Sequence, residues 1–110
     1  MKVQVRFKGF PTSASLAEYT TRKIHHHLSR FGARVGGVDV RLSDVNGPRG
    51  GRDKRCLLMA SGPGIGSVRV EELHEDFYAG VDQALGRLAQ AIGRSIERSR
   101  AHHVEERRAS

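Results

Sequence analysis

Residues 75–98, EDFYAGVDQALGRLAQAIGRSIER, carry two periodic patterns on one segment. Phe77, Val81, Leu85, Leu88, Ile92 and Ile96 recur every three to four residues. At about 100° per residue they fall on a single helical stripe, apolar enough to require burial. Gln83, Arg87, Gln90, Arg94 and Arg98 keep the same period on another face, so the solvent side of this helix presents cationic and amide heads. Glu71, Glu72, Glu75 and Asp76 precede the helix and arginines close it, the charge order that the helix dipole favours.

A helix with one apolar stripe needs a sheet or a second helix to cover it, and the upstream residues supply both. Val3, Val5 and Phe7 alternate with Lys2, Gln4, Arg6 and Lys8, the period-2 pattern of a half-buried strand. Gly9, Pro11, Thr12 and Ser13 interrupt it. A first helix follows, with Ser15 and Glu18 spaced as a capping box and Ser13 as the alternative N-cap. Leu16, Thr20, Ile24, His27, Leu28 and Phe31 form its inner stripe, and Tyr19, Arg22, Lys23, His26 and Arg30 gather on one flank. After Gly32, Gly36 and Gly37, Val38, Val40 and Leu42 mark a second strand. A whole helix lies between these two strands, which predicts a parallel pair with a right-handed crossover.

Residues 44–53, DVNGPRGGRD, are dense in turn formers and arginine, and read as a hairpin loop. The region Asn46–Arg52 is expected to be mobile until a partner orders it. A third strand from about Lys54 to Ser61 places Cys56, Leu58 and Ala60 inward and Arg55, Leu57 and Met59 outward. Gly62–Gly66 makes a second turn, and Val68 and Val70 mark a fourth strand. From Ala101 the pattern stops, which predicts a disordered basic tail over 101–110 after a single domain of residues 1–100. The fold class is α/β in the α+β sense: a two-layer sandwich of order β-α-β-β-β-α, with a four-stranded mixed sheet and both helices on one face. The other face is open and displays Gln4, Arg6, Lys8, Arg41, Arg55 and Arg69.

The chain has 110 residues, with 19 basic and 12 acidic side chains and a formal charge of +7. Fifteen of the basic residues are arginine, whose planar fork suits phosphate oxygens. Such a balance draws anionic partners, RNA among them. No segment approaches the roughly 20 apolar residues of a membrane span, and the first 20 residues lack a signal-peptide core, so a cytoplasmic protein is expected. The single cysteine, Cys56, suits a reducing compartment and reads as a buried thiol.

The constellations of catalysis are missing from the pattern. His25, His26 and His27 are consecutive, so on a helix they point about 100° apart and cannot converge on one metal ion. The glycines of Gly62–Gly66 are followed by no Lys-Ser/Thr pair, unlike a phosphate loop. Asp39, Asp44 and Asp53 read as strand-end and turn residues. No enzyme, cofactor, metal or small-molecule substrate is expected. Gly80, Gly86 and Gly93 each cost a helix about 1 kcal/mol against alanine, unless a backbone or RNA strand approaches closely there.

Two stretches, Asp44–Cys56 (DVNGPRGGRDKRC) and His74–Leu88 (HEDFYAGVDQALGRL), resemble the ribosome hibernation-promoting factor family, which includes the ribosome-associated inhibitor and proteins labelled sigma-factor modulation proteins. Asp76, Tyr78, Ala79 and Asp82 match the opening motif of that family's last helix. The resemblance spans residues 1 to about 100 and is to a short form, without the C-terminal domain by which long forms pair ribosomes. It implies a non-enzymatic bacterial protein of stationary phase and stress. Such a protein sits on 16S rRNA of the small ribosomal subunit, in the channel for messenger RNA and transfer RNA anticodons, and holds idle ribosomes inactive. The implied protein is monomeric off the ribosome and touches no membrane. By position, Arg22, Lys23, Arg87 and Arg94 match basic residues that face ribosomal RNA, and together they are expected to form one continuous surface. His26, Arg30, Gln90 and Arg98 on the same flanks, with Arg49 and Arg52 in the loop, complete the expected RNA-binding set. The alternative is a protein-binding adaptor that uses the open sheet face, with Leu57 and Met59 as its apolar patch.

Overall fold

The computed structural model describes the backbone of residues 1–45 and 53–109 and the side chains as far as Ala101; the expected loop Asn46–Arg52, with Arg49 and Arg52, lies outside the described residues. Strand β1 (Lys2–Lys8) leads into helix α1 (Ala14–Leu28), a 3-10 turn (Ser29–Arg34), β2 (Gly37–Asp44), β3 (Lys54–Gly62), β4 (Gly66–His74) and helix α2 (Phe77–Ala109). The sheet order is β1-β2-β3-β4, with β1 and β2 parallel and the other neighbours antiparallel. The expected order of elements and mixed sheet are therefore present.

Period-2 patterning sets which side chains meet. Val5, Val40, Leu58 and Val70 lie in one row across the four strands, on the face that both helices cover. Ile24 and Leu28 of α1 and Leu85, Leu88 and Ile92 of α2 are fully buried against this face, each contributing about 1.5–3 kcal/mol of apolar burial. Val3, Val5 and Phe7 are only half-buried, because β1 is an edge strand with no neighbour beyond it. The stacked rings of Phe10 and Phe77, 4.6 Å apart, extend the core beside Phe7.

Two details differ from the sequence reading. Helix α1 is capped by Ser13, whose Oγ accepts the Leu16 N–H at 3.2 Å, so Ser15 lies inside the helix and no Ser15–Glu18 box forms. Starting there adds two helical residues before Leu16. Helix α2 also continues to Ala109, past Ala101 where a disordered basic tail was expected to begin. Residues 101–109 contain neither glycine nor proline, so loss of the apolar stripe was not a backbone stop signal.

Two glycines show why the layers close. A Cβ on Gly62, at the β3–β4 turn, would collide with the Arg34 carbonyl oxygen, and one on Gly80 would lie 2.8 Å from Cys56 Sγ. Close approach thus accounts for Gly80. Gly86 and Gly93 have no atom within 4 Å of a built Cβ and face open space.

Candidate nucleic-acid interface

The seam between α1 and α2 is held by a tyrosine. Tyr19 Oη donates to Asp82, 2.8 Å from Oδ1 and 2.9 Å from Oδ2, and the Tyr19 and Tyr78 rings meet edge to face at 4.8 Å. Partial burial, then the hydrogen bond to the Asp82 carboxylate, push the Tyr19 phenol above its ordinary value. On this ring lie two of the expected RNA-facing cations: Arg22 Cζ is 5.7 Å and Lys23 Nζ 5.5 Å from its centroid. His26 is exposed further along the flank, and the Arg30 guanidinium lies 4.8 Å over the Phe31 ring. His27 turns inward, its Nδ1–H donating to the Lys23 carbonyl at 3.0 Å.

The α2 cations face the opposite way. Asp82 points at α1, and Arg87, five residues on, is about 140° further around the helix. It reaches β4, where Nη1 donates to Glu72 Oε1 at 2.7 Å and to the Glu71 carbonyl at 3.1 Å. Two turns later, Arg94 and Arg98 line a groove of about 420 Å³ together with Arg69 and Ser67 of β4. Ser95 Oγ donates to the Ile65 carbonyl at 3.1 Å and anchors α2 beside that groove. Arg94 and Arg98 are exposed and form no ion pair among the described residues.

The structure thus separates what the sequence reading joined. Arg22 and Lys23 line one flank of the helix layer and Arg87, Arg94 and Arg98 the other; Gly86, Gln90 and Gly93 lie on the helical face between them. Arg87, already bonded to Glu72, is the least available of the row. Tyr19 was placed on its flank by spacing, whereas Tyr78 and Arg69 were missed as members of these flanks. Tyr19 falls at the helical spacing of Arg22, Lys23 and His26, a usable signal, whereas no sequence pattern tells that Arg69 faces Arg94 across a groove.

The open sheet face differs from expectation in its apolar part. Leu57 is only 6% exposed, seated between Arg41 and Glu71 on the neighbouring strands. Glu71 is clasped by Arg55 (Nε to Oε1, 2.9 Å) and approached by Arg69 (Nη2 to Oε2, 3.4 Å), a lattice of charged side chains on either side of the leucine. Of the patch on which a protein-binding adaptor would rely, Leu57 is therefore covered, while Met59 stays half-buried and Leu73 is exposed on the same face. Among the described residues no group of His, Cys, Asp and Glu could hold a metal ion, and no helix is long and apolar enough to cross a membrane.

The motif at the start of α2 now has a physical role for each residue. Asp76 Oδ2 accepts the Ala79 N–H at 3.1 Å and caps the helix, Tyr78 packs on Tyr19, and Asp82 receives the Tyr19 hydroxyl. The family model described as "Sigma 54 modulation protein / S30EA ribosomal protein" matches residues 3–100. This chain belongs to that family. The S30EA fold recurs in the Thermus thermophilus Protein Y N-terminal domain, 26% identical, TM-score 0.71, over 86% of this chain and 98% of that one. It recurs also in a ribosomal subunit interface protein from Coxiella burnetii, 19% identical, TM-score 0.70, over 86% of this chain and 96% of that one. No curated protein sequence matches this chain. Within the S30EA matched span lie both cation rows and the tyrosine seam.

Proposed function

We propose that this S30EA chain is a non-enzymatic, cytoplasmic translation inhibitor that binds the small ribosomal subunit through 16S rRNA. It occupies the channel used by messenger RNA and transfer RNA anticodons and holds idle ribosomes inactive. The observation that carries the proposal is membership in a ribosomal-protein family by a chain whose helix layer exposes cations on both flanks. Arg22, Lys23, Arg94 and Arg98 bind phosphate oxygens, while Tyr19 and Tyr78 at the seam offer aromatic surface beside them. His26, Arg30 and Gln90 extend the contact, and Arg87 joins it by exchanging Glu72 for phosphate. Affinity comes from phosphate neutralisation, and specificity from the fit of the sandwich to a channel of folded RNA.

Co-sedimentation with purified small subunits over a salt series tests this reading. The wild-type protein should pellet with subunits at low salt and come off as salt rises. Arg94→Glu/Arg98→Glu and Arg22→Glu/Lys23→Glu should each bind far more weakly while melting as the wild type does. A wild-type protein that stays in the supernatant at low salt, or both double variants pelleting normally, would refute it.

A further inference from the structure

The sheet face that the helices leave open carries six cations, Lys2, Arg6, Lys8, Arg41, Arg55 and Arg69, against two acids, Asp39 and Glu71. Glu71 is already taken by Arg55 and Arg69 on the β3–β4 half. On the β1–β2 half the balance is different. Arg6 and Arg41 are paired in register across the two parallel strands, with Lys8 two residues beyond Arg6 on the same face. Neighbouring strands run about 4.8 Å apart, so the two arginine Cα atoms are that close. None of the three cations has an ion-pair partner among the described residues; Arg6 has only the Gln4 amide oxygen, 3.4 Å from its Nη2. Asp39, in the adjoining row, pairs with none of them. Like charges side by side in a sheet repel, an unfavourable arrangement that bound anion relieves. Beside them is a depression of about 310 Å³ lined by Arg6, Phe7, Lys8, Arg41, Leu42 and Ser43.

We infer that Arg6, Lys8 and Arg41 form a second RNA-phosphate site on the open sheet face, so that the protein is gripped by RNA on both sides. The inference rests on the ribosomal RNA reading above and adds a surface to it. The whole thickness of the sheet separates this site from the helix layer, so a strand bound at Arg94 and Arg98 cannot also serve Arg6 and Arg41. A different segment of RNA must reach it. The chemistry of the face also specifies what is read there. It carries no aromatic side chain among the described residues, so bases cannot stack on it as they do on sheet-based RNA readers, and the guanidinium forks engage the sugar-phosphate backbone irrespective of sequence. An acidic protein is the less fitting partner, because the outward residues of β1 and β2 include no large apolar side chain to serve as the anchor that such an interface needs.

The test neutralises the pair as Arg6→Gln/Arg41→Gln and measures affinity for purified small subunits at several salt concentrations, beside the wild type and Arg94→Gln/Arg98→Gln. Expected is a loss of roughly tenfold per arginine. The log–log salt slope should flatten by about 1.4–1.8, the share of two phosphates. Melting temperature should hold or rise, since a repulsive pair is removed, which separates lost contact from lost fold. Wild-type affinity and slope in the Arg6/Arg41 variant, with the Arg94/Arg98 variant impaired, would overturn the sheet-face site and leave the proposed function standing. Failure of the wild type to bind subunits at all would overturn both. In a second arm, the sheet-face variant should lose binding to a fluorescent oligo-uridylate more than to poly-glutamate of equal charge. Preferential loss of poly-glutamate would replace RNA with an acidic protein and overturn the inference.

Discussion

Three glycines on α2 should respond in opposite directions to one substitution. Replacing an interior helical glycine with alanine gains about 1 kcal/mol when the site accepts the methyl group. At Gly86 and Gly93 nothing lies within 4 Å of the new Cβ, so Gly86→Ala and Gly93→Ala should each stabilise by up to about 1 kcal/mol. At Gly80 the methyl would lie 2.8 Å from Cys56 Sγ and 3.2 Å from His74 Cβ, against about 3.5–4.0 Å for comfortable contact. Cys56 is fully buried, so relief requires α2 to lift from the sheet and carry Val81, Ala84 and Leu88 with it. Such overpacking costs about 1–3 kcal/mol. The net effect of Gly80→Ala is then a loss of between about 0 and 2 kcal/mol. Thermal unfolding followed by circular dichroism resolves this, because 1 kcal/mol moves the melting point of a domain this size by about 4 °C. If Gly80→Ala proved as stabilising as Gly86→Ala, the packing of α2 on β3 would be wrong. The same positions bear on function, since Gly86 and Gly93 lie on the face between the two cation rows. Gly86→Leu should melt no lower than wild type yet bind small subunits less well, as expected if RNA lies close to that bare backbone.

Two other outcomes follow from the side chains of the core and the seam. Burial first, then the charges of Glu72 and Asp76, push the Cys56 thiol up to about 12 from 9.0. It should resist maleimide until the protein unfolds. Because the folded value is the raised one, its contribution to stability is complete below about pH 9 and is lost as pH rises toward 12. Wild type should therefore lose more stability than Cys56→Ala over that interval, and parallel curves would contradict the burial argument. Tyr19→Phe should cost about 1 kcal/mol through loss of its hydrogen bond to a carboxylate, and a double-mutant cycle with Asp82→Asn should show coupling; additive losses would mean that the tyrosine does not latch α1 to α2.

The order of elements, the inward face of every strand and most of each helix's stripe were legible from residue spacing alone; Phe31, read as part of the first helix, lies in the 3-10 turn beyond the end of α1 at Leu28. Val3, Val5 and Phe7 or Leu85, Leu88 and Ile92 need only their own period to declare a buried face, because side-chain direction within a strand or helix is a local property. The cationic flanks were legible for the same reason, as rows of exposed heads on separate helices. What those heads do was not. Arg87 is bonded to a carboxylate 15 residues away, and Tyr19 to one 63 residues away. Those partners depend on the register of β4 beside α2 and of α1 beside α2. The burial of Leu57 between Arg41 and Glu71 is likewise a property of three strands in register. Even the end of α2 turned on the difference between an apolar stripe, which reports burial, and the absence of glycine or proline, which lets the backbone continue. Periodicity determined the faces; only tertiary register decided which of the described charges were neutralised and which were left without an ion pair, because ion pairs form between side chains that the chain separates and the fold brings within 4 Å.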